Sequence, residues 1–223
     1  MKTEQIGDCF LIHADCREMF EHLTDPDGYA VITDPPYGIG RNMTRGSGRH
    51  GWSKYNTTLT QRNMWDNEPP PQWVIDWLAK QRQSIIWGGN YFHLPPSRCW
   101  FVWNKPERGF TLAEAELAWT NLDSVVRVFD INRSDHGREH PTQKPIKVMA
   151  RCVERTTGIV IDPYMGSGTT GVACALMGRP FIGIETDAGY FTMACRRISA
   201  AVHGGNATQF FPGSVDDALG FFH

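Results

Sequence analysis

No apolar run in this chain approaches the roughly 20 residues needed to cross a bilayer, and Met1-Lys2-Thr3-Glu4-Gln5 lacks the apolar stretch of a secretory signal. There is no C-x-x-C pair: Cys9, Cys16, Cys99, Cys152, Cys174 and Cys195 are scattered. That spacing argues against a zinc site and against a disulfide framework, so a reduced, cytoplasmic protein with no bound metal is expected. Internal repeats, low-complexity tracts and clear linkers are also missing, which points to a single domain over residues 1–223. Neither sign of charge dominates. A net charge of -2 does not advertise a nucleic-acid binder, so any such surface must be local. What remains is ordinary globular composition, with 41% hydrophobic and 21% charged residues.

One absence is regional. Between Gly40 and Met64 there is no acidic residue, while Arg41, Arg45, Arg49, Lys54, Arg62 and His50 all fall there. Gly46, Gly48 and Gly51 lie among them, with Trp52, Tyr55 and Asn56 interleaved. An insertion at about 40–66 of this kind suits contact with a nucleic-acid backbone, and a solvated surface loop is the plainer alternative.

Along the chain, apolar runs predict strands at Asp8–His13, Tyr29–Thr33, Ser84–Trp87 and Trp100–Trp103, and a helix over Pro71–Gln81. Glu116–Thr120 and Ser124–Phe129 read as a hairpin around Asn121-Leu122-Asp123. A helix is expected over Gln143–Thr156 with Pro145 in its first turn, ended by Gly158. The last third then reads as strand Ile159–Ile161, glycine turn, helix Thr169–Met177, strand Pro180–Ile184 and helix Tyr190–Val202, the opening unit of a doubly wound sheet.

Two turns carry chemistry. Gly166-Ser167-Gly168-Thr169-Thr170-Gly171 fits G-x-G-x-x-G, and Glu185 ends the next strand near the offset at which an acid meets a ribose hydroxyl. Together they imply a nucleoside-bearing cofactor without saying which. Asp162-Pro163 just before the glycines sets a carboxylate where a pyrophosphate would be repelled, while a cofactor with a positive centre is compatible. The other turn is Asp34-Pro35-Pro36-Tyr37-Gly38, also at a strand end. Its prolines fix φ and supply no N–H, so their carbonyls project without competing donors beside Asp34. Such a site can accept both hydrogen bonds of one amine, favouring a pyramidal nitrogen with an available lone pair. Tyr37 suits stacking on a base flipped out of a duplex. A rigid Pro-Pro turn with a surface aspartate is the plainer alternative.

With these motifs in one domain, the chain resembles the amino-methyltransferases of DNA, in the β order that places the catalytic motif before the cofactor motif. The likeness runs from about Gly7 to Arg197. Asp34-Pro35-Pro36-Tyr37 matches the catalytic tetrapeptide. Asp162 to Thr170 matches the cofactor loop, with Tyr164 where Phe is usual. His140-Pro141-Thr142-Gln143-Lys144-Pro145 matches the segment upstream, and Phe181-Ile182-Gly183-Ile184-Glu185 the ribose-binding strand. Both Gly7-Asp8-Cys9 and His13-Ala14-Asp15-Cys16 look like the family's N-terminal Gly-Asp-Cys; the strand before the second favours Asp15, with Cys16 beside it, for the adenine contact.

The resemblance implies a Rossmann-like α/β methyltransferase fold, with a seven-stranded mostly parallel sheet, an antiparallel strand near one edge and circularly permuted motif order. It implies S-adenosyl-L-methionine as cofactor. Asp162, Pro163, Tyr164, Gly166, Ser167, Gly168 and Thr169, with Thr142, Gln143 and Lys144, would hold the methionine end, Glu185 the ribose, and Asp34 would border the site. Double-stranded DNA is the implied substrate, adenine N6 the first choice and cytosine N4 the alternative, because N4 members often begin the tetrapeptide with Ser. Some relatives dimerise, so a homodimer is also expected.

Relatives often carry a long target-recognition segment before the His-Pro-Thr-Gln-Lys-Pro stretch, where this chain has only Asp130 to Glu139. The basic insertion, through Arg41, Arg45, Arg49, Lys54 and Arg62, is therefore expected to contact DNA. No Pro-Cys occurs, which sets aside C5-cytosine chemistry, and Asp34 stands where protein glutamine methyltransferases carry Asn. A nicotinamide-dependent oxidoreductase and a non-catalytic DNA-binding module stay open as rivals. Trp87, Trp100 and Trp103 are expected in the core. Trp65-Asp66 and Asn90-Tyr91-Phe92 could line a base pocket or simply pack, and Lys105 is read as surface or DNA-facing.

Overall fold

A computed structural model describes residues 1–23, 28–39, 68–107, 113–132 and 144–204. The basic insertion, Trp65-Asp66, Thr142 and Gln143 lie outside the described residues.

The strands are β1 (Lys2–Ile6), β2 (Cys9–His13), β3 (Ala30–Thr33), β4 (Gln83–Trp87), β5 (Trp100–Asn104), β6 (Ala115–Thr120), β7 (Arg127–Asp130), β8 (Val160–Asp162) and β9 (Phe181–Glu185). The helices are α1 (Cys16–Met19), α2 (Gln72–Ala79), α3 (Ile146–Val153), α4 (Thr169–Leu176) and α5 (Ala188–Val202). All nine strands form one sheet in the order β1-β2-β9-β8-β3-β4-β6-β5-β7. Of these, β1 and β6 run against the other seven.

The expected seven-stranded sheet is present as β2 to β5 of that order, with β6 as its antiparallel member next to the last strand. Two further strands correct the count. β1 folds back on β2 through Gly7, and β7 adds to β5. The expected hairpin between the sixth and seventh strands is not formed. β5 lies between them, antiparallel to β6 and parallel to β7. The apolar Trp100–Trp103 run is thereby covered on both edges, so its backbone groups are paired instead of left at an open edge.

The sequence pattern explains the layers. β3, β4 and β8 are almost wholly buried, as strands covered on both faces must be. Alternate residues feed two cores. Ala30, Ile32, Ile85, Trp87 and Val160 pack with α3, α4 and α5. Val31, Ile86 and Ile161 pack with α1 and α2 on the other face. At roughly 2 kcal/mol per fully buried large apolar side chain, either face alone contributes substantially, which is why the sheet needs helices on both. α3 starts at Ile146, later than expected: Pro145 is its N-cap with ψ 141°, and the residue before a proline is disfavoured in the helical region, which keeps Lys144 out. All six cysteines are free, and five are buried. Among the described residues, no helix is long and apolar enough to cross a membrane and no acidic, His or Cys cluster could hold a metal.

Candidate active site

Chain connections leave the centre of the sheet in opposite directions. From β3 the chain passes through α2 to β4 on one side, and from β8 through α4 to β9 on the other. β3 and β8 are parallel neighbours, so their carboxyl ends flank a topological switch point, where open α/β sheets bind ligands. The two motif turns leave from these ends.

A buried carboxylate ties the turns together. Thr33 Oγ1 donates to Asp162 Oδ1 at 2.7 Å, Thr170 Oγ1 donates to Oδ2 at 2.6 Å, and the Tyr164 N–H reaches Oδ1 at 3.1 Å. Burial pushes the Asp162 carboxyl up to about 6, against the pull of those donors. Asp162 is thus an internal tie between the two corners. Both its oxygens are engaged and its side chain is buried, so it presents no exposed carboxylate to a ligand.

The glycine bend is shaped for close backbone approach. Gly168 caps α4 at φ 82°, and a Cβ there would stand 2.8 Å from Ala194 Cβ, so only glycine lets α5 pack this close. A Cβ on Gly166 would meet nothing nearer than 4.0 Å, which leaves the face over it clear. Glu185, at the end of β9, accepts from the Gly166 N–H at 2.9 Å and the Asp187 N–H at 2.7 Å, and burial raises its carboxyl. β2 ends alongside, with the Ala14 N–H on the Glu185 carbonyl at 3.1 Å. Asp15 follows, caps α1 and pairs with Arg17, whose hydrogen bond lowers its carboxyl. The Cys16 thiol, raised to about 11 by burial, meets the Tyr164 hydroxyl. Ser167 and Thr169 turn their side chains to the buried Arg197 guanidinium, so only their backbone faces the bend.

The Asp-Pro-Pro-Tyr corner is packed with charge. Asp34 receives the Tyr37 hydroxyl on Oδ1 and the Lys144 ammonium on Oδ2. Lys144 also donates to Tyr37 Oη at 3.1 Å and pairs with Glu116 Oε2 at 3.2 Å. Lys105 pairs with the other Glu116 oxygen. Burial alone would raise the Glu116 carboxyl, but Lys144 and Lys105 hold it down at about 2. Burial likewise opposes the Lys144 charge, and Asp34 and Glu116 outweigh it and raise the ammonium. The Tyr37 ring stacks on Tyr91 at 4.9 Å and meets Phe92 edge-on at 6.2 Å.

The structure therefore gathers Asp34, Pro35, Pro36 and Tyr37 with Asp162, Pro163 and Tyr164 at one crevice, and puts Asp15, Cys16 and Glu185 at the next two strand ends. The Lys144 ammonium lies on Asp34. Lys105 is buried at 5% exposure, which excludes a surface role. Trp87 and Trp103 are core as expected, and Tyr91 and Phe92 line the Tyr37 seat. No local motif marks Glu116. It lies two residues before Ala118, the partner of Trp87 across β4 and β6, and reaches the carboxyl edge because β6 runs backwards.

Comparison with known proteins fits this geometry. The type II methyltransferase M2.MboI of Moraxella bovis is 23% identical over 243 residues, covering 84% of this chain and 86% of that protein. The DNA adenine methyltransferase YhdJ of Escherichia coli K12 is 42% identical over 72 residues, which cover 31% of this chain and 24% of that one. Two solved structures share the fold. The M1.HpyAVI–SAM complex has TM-score 0.54 and 23% identity, covering 84% of this chain and 98% of that one. The cytosine-N4-specific PvuII DNA methyltransferase has TM-score 0.58 and 15% identity, covering 90% and 93%. Residues 77–196, more than half of the 223, match the DNA methylase family model, and the chain belongs to that family, the DNA amino-methyltransferases of the N6-adenine/N4-cytosine class.

Proposed function

We propose that this protein methylates N6 of adenine in double-stranded DNA, using S-adenosyl-L-methionine. The observation that carries the reading is the hydrogen bond from Thr33 to Asp162, which sets the amine-accepting corner and the glycine bend on one crevice. S-adenosyl-L-methionine, when bound, supplies an electrophilic methyl on a sulfonium centre. The residues present suit it. Gly166 leaves clear backbone for the methionine end, Glu185 stands where a ribose is held, and Asp15 and Tyr164 border the adenine position. Thr142 and Gln143 are assigned to the same cofactor from sequence.

On the acceptor side, the flipped base stacks on Tyr37 in exchange for the Tyr91 ring. The target amine then takes the place of the Tyr37 hydroxyl on Asp34 Oδ1 and donates its second hydrogen to a carbonyl of the Pro35-Pro36 corner. Accepting both hydrogens localises the nitrogen lone pair toward the incoming methyl. Asp34 in the first position and the similarity to an adenine enzyme favour adenine over cytosine N4. The insertion at about 40–66 is assigned to DNA through Arg41, Arg45, Arg49, Lys54 and Arg62, as part of a single domain.

The test is methylation of unmethylated genomic DNA with labelled cofactor, followed by nucleoside analysis. N6-methyladenine is expected, and N4-methylcytosine would move the reading to the other amine. Label found only in protein or RNA would end it. Neutralising Arg45, Arg49 and Lys54 together should weaken DNA binding and flatten its salt dependence while cofactor affinity survives.

A further inference from the structure

We infer that Glu116 is a positioning residue for methyl transfer: acting through Lys144, it sets how much of the Asp34 negative charge is left for the target amine. This rests on the reading of Asp34 as the amine acceptor. The side chains form a row of alternating charge, Asp34, Lys144, Glu116, Lys105. Lys144 is fully committed within it. An ammonium has three donors, and its partners are Asp34 Oδ2, Tyr37 Oη at 3.1 Å and Glu116 Oε2 at 3.2 Å. Its side chain is only 5% exposed, so water screens these charges little.

A buried ammonium resting on Asp34 alone would compete with the substrate amine for the same carboxylate. Glu116 divides that positive charge, and Lys105 balances Glu116 on its far oxygen, so two carboxylates meet two ammoniums. Removing the Glu116 charge leaves the Lys144 ammonium resting on the Asp34 carboxylate without its second carboxylate partner. The carboxylate becomes a weaker acceptor without moving. The effect belongs to the chemical step, because the glycine bend and Glu185 are reached from other strands.

Charge and packing make opposite demands here, which gives the test. Glu116→Gln keeps size and removes charge; Glu116→Asp keeps charge and shortens the side chain. Single-turnover methyl transfer, cofactor titration calorimetry and circular dichroism are measured on wild type, both variants and Asp34→Ala. We expect Glu116→Gln to lower the methyl-transfer rate on the order of ten-fold. Glu116→Asp should stay within about three-fold, and cofactor affinity should be unchanged in both. In a Lys144→Met background, Glu116→Gln should cost nothing further, because its effect runs through the ammonium. A wild-type rate for Glu116→Gln, or a loss in Glu116→Asp as large as in Glu116→Gln, overturns the inference. If Glu116→Gln does not fold, the Glu116→Asp rate decides: a ten-fold loss in the folded shorter variant overturns it. Asp34→Ala separates the two levels. Transfer surviving there removes the acceptor reading itself, whereas a dead Asp34→Ala beside an unimpaired Glu116→Gln removes only the role of Glu116.

Discussion

Gly88 sits directly behind Tyr37, and on the proposed role of that ring Gly88→Ala should disable the enzyme while leaving it folded. The residue follows β4 at φ 69°, in the left-handed region. A non-glycine residue there costs about 1–2 kcal/mol. An added Cβ would stand 2.1 Å from Tyr37 Cε1, 2.5 Å from Cδ1 and 2.6 Å from Cζ. Ordinary carbon contacts lie at about 3.5–4.0 Å, so the ring must retreat by roughly 1.5 Å. The ring can move more readily than the buried strand, so the overlap is relieved at Tyr37. That retreat breaks the stack on Tyr91 and draws the hydroxyl from Asp34. A misplacement of about 1 Å at a reacting centre can cost on the order of 100-fold in rate. Stability should fall by about 2 kcal/mol, a drop in Tm of roughly 4–8 °C for a chain this size. Cofactor affinity should hold, because β8, β9 and β2 carry that side. The assay is labelled methyl transfer to DNA, with calorimetry for the cofactor and a thermal melt for the fold. A folded variant within two-fold of the wild-type rate would show that the Tyr37 ring position does not matter, and the reasoning fails.

Two further outcomes follow from the buried carboxylates. Thr33→Val keeps the shape of β3 but strips one donor from Asp162, and a hydrogen bond to a charged group contributes about 1.5–3 kcal/mol. Urea unfolding should show that loss, with the Asp162 carboxyl rising further. For pH, Asp162 goes from an ordinary 3.8 to about 6 on folding, so the folded state holds more protons between those values and stability declines as pH rises from about 4 to 6. Glu116 goes the other way, from 4.5 to about 2; its contribution is complete above 4.5 and is lost as pH falls toward 2. Asp162→Asn should flatten the first window and Glu116→Gln the second in chemical denaturation across pH; a single variant flattening both would contradict the assignment.

Much of the fold is legible because the central strands are buried on both faces. Continuous apolar runs such as Ala30-Val31-Ile32 and Ser84-Ile85-Ile86-Trp87 then need no periodicity to be read as strands. Lys2-Thr3-Glu4-Gln5-Ile6 carries no such signal. It is an exposed edge strand defined by the hairpin to β2. The sixth and seventh strands are each legible in the sequence, but their pairing is not, because adjacency favours a hairpin and only the tertiary position of β5 forbids it. The site divides the same way. Both motif turns can be read from local chemistry, since glycine and proline constrain the backbone wherever they fall. Glu116 cannot. It is one acid in Ala115-Glu116-Leu117-Ala118-Trp119-Thr120, and its meaning arises from the reversed direction of β6. Lys144 illustrates a related limit. Its motif gives no sign of the buried pairing, which arises because the residue before Pro145 stays outside α3 and its ammonium lies on Asp34.

The order of the two motifs along the chain has little bearing on the chemistry, and the sheet shows why. Thr33 and Asp162 are 129 residues apart and bond at 2.7 Å. What the reaction requires is that the two turns leave the same edge of neighbouring parallel strands. β3 and β8 meet that condition whichever is made first, because neither is connected directly to the other. Every segment linking them runs outward to one flank of the sheet and returns. Cutting and rejoining the chain in such segments permutes the sequence without moving either turn. The invariant element is therefore the buried contact between the strands. Asp162 accepts a desolvation cost to make it, and the raised carboxyl at about 6 records that cost. A buried ionisable tie would be a poor choice for stability alone, since burial raises its carboxyl even with three donors in place. Its placement is intelligible as registration, holding the Asp-Pro-Pro-Tyr corner and the glycine bend at one fixed separation while the helices around them carry the stability.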